Sequence, residues 1–146
     1  MEKNFNSKFN ISDDINKMDF AWVTEMLKDA YWSKGIGIDE VKQGAVNSSL
    51  VVGVFTPDGL QIGYARVISD KTRFAYLLDV YVDESFRGRS IGQAMVDFIL
   101  RHPTLKEVYQ WVLITGDAHG LYSKLGFKPL EFPERWMEIR NSGPQR

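Results

Sequence analysis

The segment from Asp79 to Gln93, DVYVDESFRGRSIGQ, has residue types and spacing suited to holding a phosphate. Within it, Arg87-Gly88-Arg89-Ser90-Ile91-Gly92 joins an apolar run, Tyr76 to Val82, to an amphipathic stretch. A turn between a strand and a helix leaves several backbone N–H groups unpaired at the positive end of the helix, where an anion is stabilised. Arg87 and Arg89 add positive charge where a pyrophosphate would lie. An isolated glycine pair is as often no more than a tight connection. The strong strand before it and the strong helix after it favour the ligand reading. The turn is not a Walker loop, because no G-K-[ST] follows, and it lacks the G-x-G-x-x-G order of dinucleotide folds.

Four other side chains have chemistry to offer. Asp79 interrupts an apolar run, and a buried carboxylate is costly unless paired. It is read as a general base or an anchor for an ammonium, with an ion pair to Arg66 on the neighbouring strand as the plain alternative. Tyr122 carries a phenol that is protonated at neutral pH. On residue type alone, a core ring with its hydroxyl at the surface is the stronger reading. His119 carries an imidazole, a side chain suited to general base work, and lies in a helical first turn that Asp117 is expected to cap; base and surface histidine stand about even. His102, at a helix C-terminus, is assigned no role. Tyr31, Trp32, Phe74, Tyr76 and Trp111 supply aromatic surface for a pocket wall, although such residues are more often core.

These groups depend on the elements that carry them. Residues 1–6 read as a frayed tail. Phe9 and Ile11 alternate with polar neighbours, a weak strand signal. Asp19 is the expected N-cap of a helix whose face is Phe20, Val23, Met26, Leu27 and Ala30. Tyr31-Trp32 closes it, and Gly35 and Gly37 break it. Ile38 to Val46 forms a second helix. Leu50–Phe55, Ile62–Ile68 and Phe74–Val82 read as an antiparallel meander, with Pro57-Asp58-Gly59 as one turn. Ile91, Ala94, Met95, Phe98 and Ile99 define one helix face, ended by Pro103. Val108–Ile114 is the next strand. Ala118–Leu125 is a short helix stopped by Gly126. Phe127–Leu130 and Arg135–Ile139 suggest a closing hairpin, whose edge would suit pairing into a homodimer. This order implies an α/β (α+β) domain with a mixed sheet, not a doubly wound parallel one.

The chain has 146 residues, which suits one domain. Its formal net charge of −1 gives no reason to expect nucleic acid or an anionic membrane as a partner. It contains no cysteine, so a disulfide framework, a thiol nucleophile and a zinc–thiolate centre are excluded, and no metal site is expected. No apolar run approaches the roughly 20 residues that span a bilayer, and Met1 to Asn6 lack the apolar segment of a signal peptide. The expected location is cytoplasmic.

Two spaced motifs resemble the GNAT superfamily of N-acetyltransferases. The first is the strand Asp79-Val80-Tyr81-Val82 followed by Arg87-Gly88-Arg89-Ser90-Ile91-Gly92. The second is Ala118-His119-Gly120-Leu121-Tyr122-Ser123-Lys124-Leu125-Gly126-Phe127. The resemblance runs from Phe9 to Arg140. It implies a mostly antiparallel sheet of about six to seven strands flanked by about four helices, and acetyl-CoA as the cofactor. It assigns the pyrophosphate to Arg87, Gly88, Arg89, Ser90, Ile91, Gly92 and Gln93, and the pantetheine arm to backbone groups of Val80, Tyr81 and Val82. It favours Tyr122 as the general acid. It places the amine acceptor beside the first two helices, where Tyr31 and Trp32 form a wall with Tyr76 and Trp111. The chain departs from the family at two positions. Ser90 stands where a motif glycine is usual, so a glycine-only backbone geometry would be lost there. Thr115 stands where many members contact the cofactor with Asn.

The leading expectation is therefore transfer of an acetyl group from acetyl-CoA to a primary amine by direct attack in a ternary complex, since neither Cys nor a Ser/His elbow is present for a covalent route. The acceptor is a small molecule or a peptide. The alternative is a non-catalytic acyl-CoA-binding or regulatory module on the same fold. A nucleotide-binding protein is a third reading, disfavoured by the missing Lys-Ser/Thr pair.

Overall fold

Strands that follow one another in the chain also lie side by side. The computed structural model describes residues 1–5 and 8–146. Its six strands are β1 (Glu2–Phe5), β2 (Phe9–Ser12), β3 (Leu50–Phe55), β4 (Gln61–Ser69), β5 (Phe74–Val82) and β6 (Gln110–Val112). They form one sheet in the order β1-β2-β3-β4-β5-β6. The pairs from β1 to β5 are antiparallel, and β5 and β6 are parallel. A parallel pair needs a crossover, supplied by α3 (Ile91–Leu100). The other helices are α1 (Phe20–Leu27), α2 (Ile38–Val46) and α4 (His119–Lys124). This is the mixed, mostly antiparallel sheet with four helices that the element order implied.

Each face of the sheet has its own core. On one face Met95, Val96, Phe98 and Ile99 of α3 pack on Val52, Ile62, Ala65, Val67 and Leu77. On the other, Val23 and Leu27 of α1 and Val41 and Ala45 of α2 cover Val51, Phe55 and Tyr64. Asp19 caps α1 as expected, accepting a hydrogen bond from the Trp22 N–H at 3.0 Å. The buried Gln61 ties this cap to the sheet, since its Oε1 accepts from the Asp19 N–H at 2.7 Å. His102 is also buried; its Nε2 lies 2.7 Å from Asp13 and joins the end of α3 to the segment after β2.

Four expectations need correction. The frayed tail is instead β1 over Glu2–Phe5, with Lys3 opposite Ile11; Asn6 lies outside the described residues. Helix α1 ends at Leu27, and Tyr31-Trp32 belongs to the following turns. Strand β6 is only Gln110–Val112, because it leaves its partner early. The closing hairpin does not form: Phe127–Leu130 and Arg135–Ile139 are irregular, with a 3-10 turn at Pro133–Arg135 between them. Pro129 and Pro133 have no N–H to donate to a ladder. Trp136 instead packs over Phe74, ring centres 6.4 Å apart.

Candidate active site

The site begins where the sheet parts. Strand β6 follows β5 only as far as Tyr76 opposite Val112. Beyond that point the edge of β5 from Leu77 to Val82 has no strand beside it among the described residues, and Leu113, Ile114 and Thr115 line the far wall. On the other edge, Tyr64 pairs with Tyr81 and Arg66 with Leu78, so β5 carries one residue more than β4 across that step. Asp79 occupies this bulge with φ of 55°. The result is a cleft of about 1650 Å³ running between the parted strands.

The turn before α3 faces one end of this cleft. Among the described residues, no backbone N–H from Gly88 to Gln93 meets a protein acceptor; the first satisfied one is Ala94, which donates to the Ser90 carbonyl at 3.0 Å. Gly88 has φ of 79° and Ser90 has φ of 60°. Ser90 thus keeps the left-handed backbone of a glycine in spite of its Cβ, and the geometry expected to be lost is retained. Row upon row of donors without acceptors suits a diphosphate. Val80, Tyr81, Val82, Arg87, Gly88, Ser90, Ile91, Gly92, Gln93 and Thr115 all line the cleft. Arg87 is folded back on the strand, its Nε donating to the Val82 carbonyl at 3.0 Å and its guanidinium 5.2 Å from the Tyr81 ring centre. Arg89 lies over Phe86, outside the cleft lining.

Tyr122 enters from the other wall. It is 8% exposed and packs edge-on against Phe127, with ring centres 5.8 Å apart. Burial pushes its phenol up to about 12, with smaller contributions from Tyr31 and Asp117. Its hydroxyl therefore keeps its proton throughout the neutral range. Thr115 is a structural group: its Oγ1 accepts from the N–H groups of Ala118 at 3.0 Å and Asp117 at 3.4 Å. The N-cap of α4 is Ala118, with no side-chain cap bond from Asp117. His119 is exposed on α4 and does not line the cleft. Trp111 does not line it either; it packs into the core on the α3 face.

At the opposite end, Asp79 forms the ion pair named as its plain alternative. Its Oδ2 accepts from Arg66 Nε at 2.7 Å and its Oδ1 from Trp32 Nε1 at 3.0 Å. Both side chains of the ion pair are largely shielded, 18% exposed for Arg66 and 11% for Asp79. Arg66 Nη1 also reaches Ser48 Oγ at 3.2 Å and the Gly44 carbonyl at 3.4 Å, which fixes α2. The Tyr31 hydroxyl accepts from the Gly116 N–H at 2.7 Å. The loop after α1 thereby spans the cleft from Asp79 to the segment after β6. Tyr31, Trp32 and Tyr76 line this end together with Glu40, Arg140 and Arg146, which the sequence reading did not find. The Thr115-x-x-Ala118 spacing is a readable capping signal; nothing local in the sequence places Glu40 or Arg146 here.

A six-stranded sheet that opens beside β5, with a donor-lined turn at its mouth, is an acyltransferase architecture of the GNAT type. The family model for the GNAT acetyltransferase domain matches residues 48–129, more than half of the chain. A structure from Xanthomonas campestris, described as an acetyltransferase of the GNAT family, is 39% identical, with a TM-score of 0.86 over 91% of this chain and 93% of that one. An uncharacterised ycf52-like N-acetyltransferase of Prochlorococcus marinus is 28% identical over 102 residues, 68% of this chain. The chain spans 56% of that curated relative's length. A Clostridium acetobutylicum structure described as a predicted acetyltransferase with acetyl-CoA shares the fold, at 16% identity, with a TM-score of 0.63 over 96% of each chain. The chain belongs to the GNAT acetyltransferase family.

Proposed function

We propose that this protein transfers the acetyl group of acetyl-CoA to a primary amine by direct attack in a ternary complex. The observation that carries this reading is the convergence of three groups on one cleft: the unpaired N–H groups of Gly88–Gln93, the free edge of β5 and the protonated hydroxyl of Tyr122. Acetyl-CoA, when bound, supplies an activated acyl group whose C–S bond gives way to a C–N bond while the amine nitrogen loses a proton and the sulfur gains one.

The residues of the chain divide that work. The turn from Arg87 to Gln93 holds the diphosphate, with Arg89 contributing charge from outside the wall. The backbone of Val80, Tyr81 and Val82 receives the pantetheine arm as a further strand would be received. Tyr122 donates the proton that the sulfur takes up, a role its raised pKa suits because the proton is still present at neutral pH. Asp79, held by Arg66 and Trp32, positions the bulge; it is a positioning residue and not a free base. His119 lies too far into solvent to serve as base in this arrangement, and the amine loses its proton to water. Tyr31, Trp32 and Tyr76 form the acceptor wall.

The test is thiol release from acetyl-CoA across an amine panel. Tyr122→Phe should lower kcat about 100-fold or more with little change in coenzyme binding, and Arg87→Ala should weaken coenzyme binding. Coenzyme binding without thiol release across the panel would favour the non-catalytic acyl-CoA-binding module.

A further inference from the structure

We propose that the carboxylate of Glu40 anchors a second, permanently charged cationic group on the acceptor, and that Arg146 occupies this anchor in the free protein. The inference deepens the acetyltransferase reading and rests on it for the identity of the reacting amine. It names the acceptor class as an amine that carries an additional ammonium or guanidinium group.

Glu40 lies in the first turn of α2 and lines the acceptor end of the cleft. Asp29 and Asp79 line the cleft there as well, and Asp79 already holds Arg66. Among the described residues, the one cation paired with Glu40 is the guanidinium of Arg146. Arg146 also donates through Nη1 to the Lys34 carbonyl at 3.4 Å. It lies close against the chain at Gly35, where an added Cβ would meet the Arg146 Cβ at 2.8 Å. A guanidinium is thus seated on a carboxylate and a carbonyl, a pair of acceptors that serves any nitrogen cation.

A second observation points to a ligand at the same place. A side pocket of about 350 Å³ adjoins the cleft and shares Ile36, Glu40, Arg66 and Asp79 with it. Tyr64 lines this pocket, is 1% exposed and has a hydroxyl with no hydrogen-bond partner among the described residues. A buried hydroxyl without a partner is costly, and an N–H donor entering the pocket would relieve it. The acceptor's second nitrogen has an ordinary pKa near 10 or above, so it stays charged while the attacking amine gives up its proton. Arg146 and that nitrogen compete for one carboxylate.

The experiment compares butylamine with 4-aminobutylguanidine and a series of diaminoalkanes of increasing length. Two readouts are taken on the wild type, Glu40→Gln and Arg146→Ala: kcat/KM by thiol release, and calorimetric binding of the amines without coenzyme. The dicationic probes should be preferred over butylamine by about tenfold. Glu40→Gln should abolish that preference by raising KM for the dicationic probes about tenfold. Arg146→Ala should lower KM for the dicationic probes. If Glu40→Gln keeps the preference, or if no dicationic probe binds either the wild type or Arg146→Ala, the proposal is overturned. Binding that depends on Glu40 without thiol release from any amine would support the anchor and sink the acetyltransferase reading instead.

Discussion

Ser90 and Asp79 both hold a left-handed backbone at the cleft, at φ of 60° and 55°. For an L-residue that conformation costs roughly 1–2 kcal/mol, and such strain concentrates where a site requires it. At Ser90 the strain lies within the turn whose N–H groups have no protein acceptor among the described residues. Ser90→Gly should therefore raise stability by about 1 kcal/mol in chemical denaturation, with coenzyme affinity preserved. Tyr122 gives a pH prediction. Its folded pKa is raised to about 12 by burial, so the phenol proton is present below that value and lost above it. The kcat profile should show no alkaline fall from this group up to pH 10. The same shift makes its contribution to folding stability complete below the ordinary tyrosine value, near 10, and lost as pH rises toward 12. At this scale the sequence is readable where a residue type limits its chemistry, as with Tyr122 and the glycine-like demand at Ser90. It is silent where a role depends on neighbours: nothing local says that Asp79 meets Trp32 or that Trp111 turns into the core.

Strand β5 performs two tasks along its length. From Phe74 to Tyr76 it pairs on both edges; from Leu77 to Val82 the edge away from β4 has no strand beside it among the described residues. The Arg66–Asp79 pair holds the bulge, α2 and the loop after α1 in one network. Removing one member of a largely buried pair leaves the other uncompensated. Arg66→Ala should cost about 3 kcal/mol in thermal or chemical unfolding and should raise KM for the acceptor more than for the coenzyme. A matching loss on both substrates would mean that the network only supports the fold. Strands β3 and β5 and helix α2 were legible end to end, since each is an apolar run or a clear helical face bounded by turn residues. The bulge was not, because an extra residue in a strand leaves no mark on apolar periodicity when both faces are buried. Strand β1 was missed for a related reason: four polar and apolar residues become a strand only because β2 lies beside them.

Across the whole molecule, the two ends of the cleft differ in chemistry. One end is lined by backbone donors and the other by aromatic and charged side chains of both signs, with Tyr31 bridging over the middle to Gly116. Coenzyme A should raise the unfolding temperature, its added stability growing with the logarithm of concentration over Kd and reaching about 2.7 kcal/mol at 100 Kd. ATP, which lacks the pantetheine arm proposed to lie along β5, should do markedly less. An equal shift with ATP would return the cleft to the nucleotide-binding reading.

The parallel pairing of β5 with β6 has a kinetic consequence. The pairs β1–β2, β3–β4 and β4–β5 join segments close in the chain, whereas β2–β3 is bridged by α1 and α2 and β5–β6 by α3. The β5–β6 seam must wait for the whole of α3 to cross over, and it is secured by only three paired residues. Non-local contacts of that kind are entropically late. The cleft therefore lies beside one of the two late seams, the one at the edge of β5. Amide hydrogens on β6 should exchange with deuterium through partial openings that leave β3 and β4 protected.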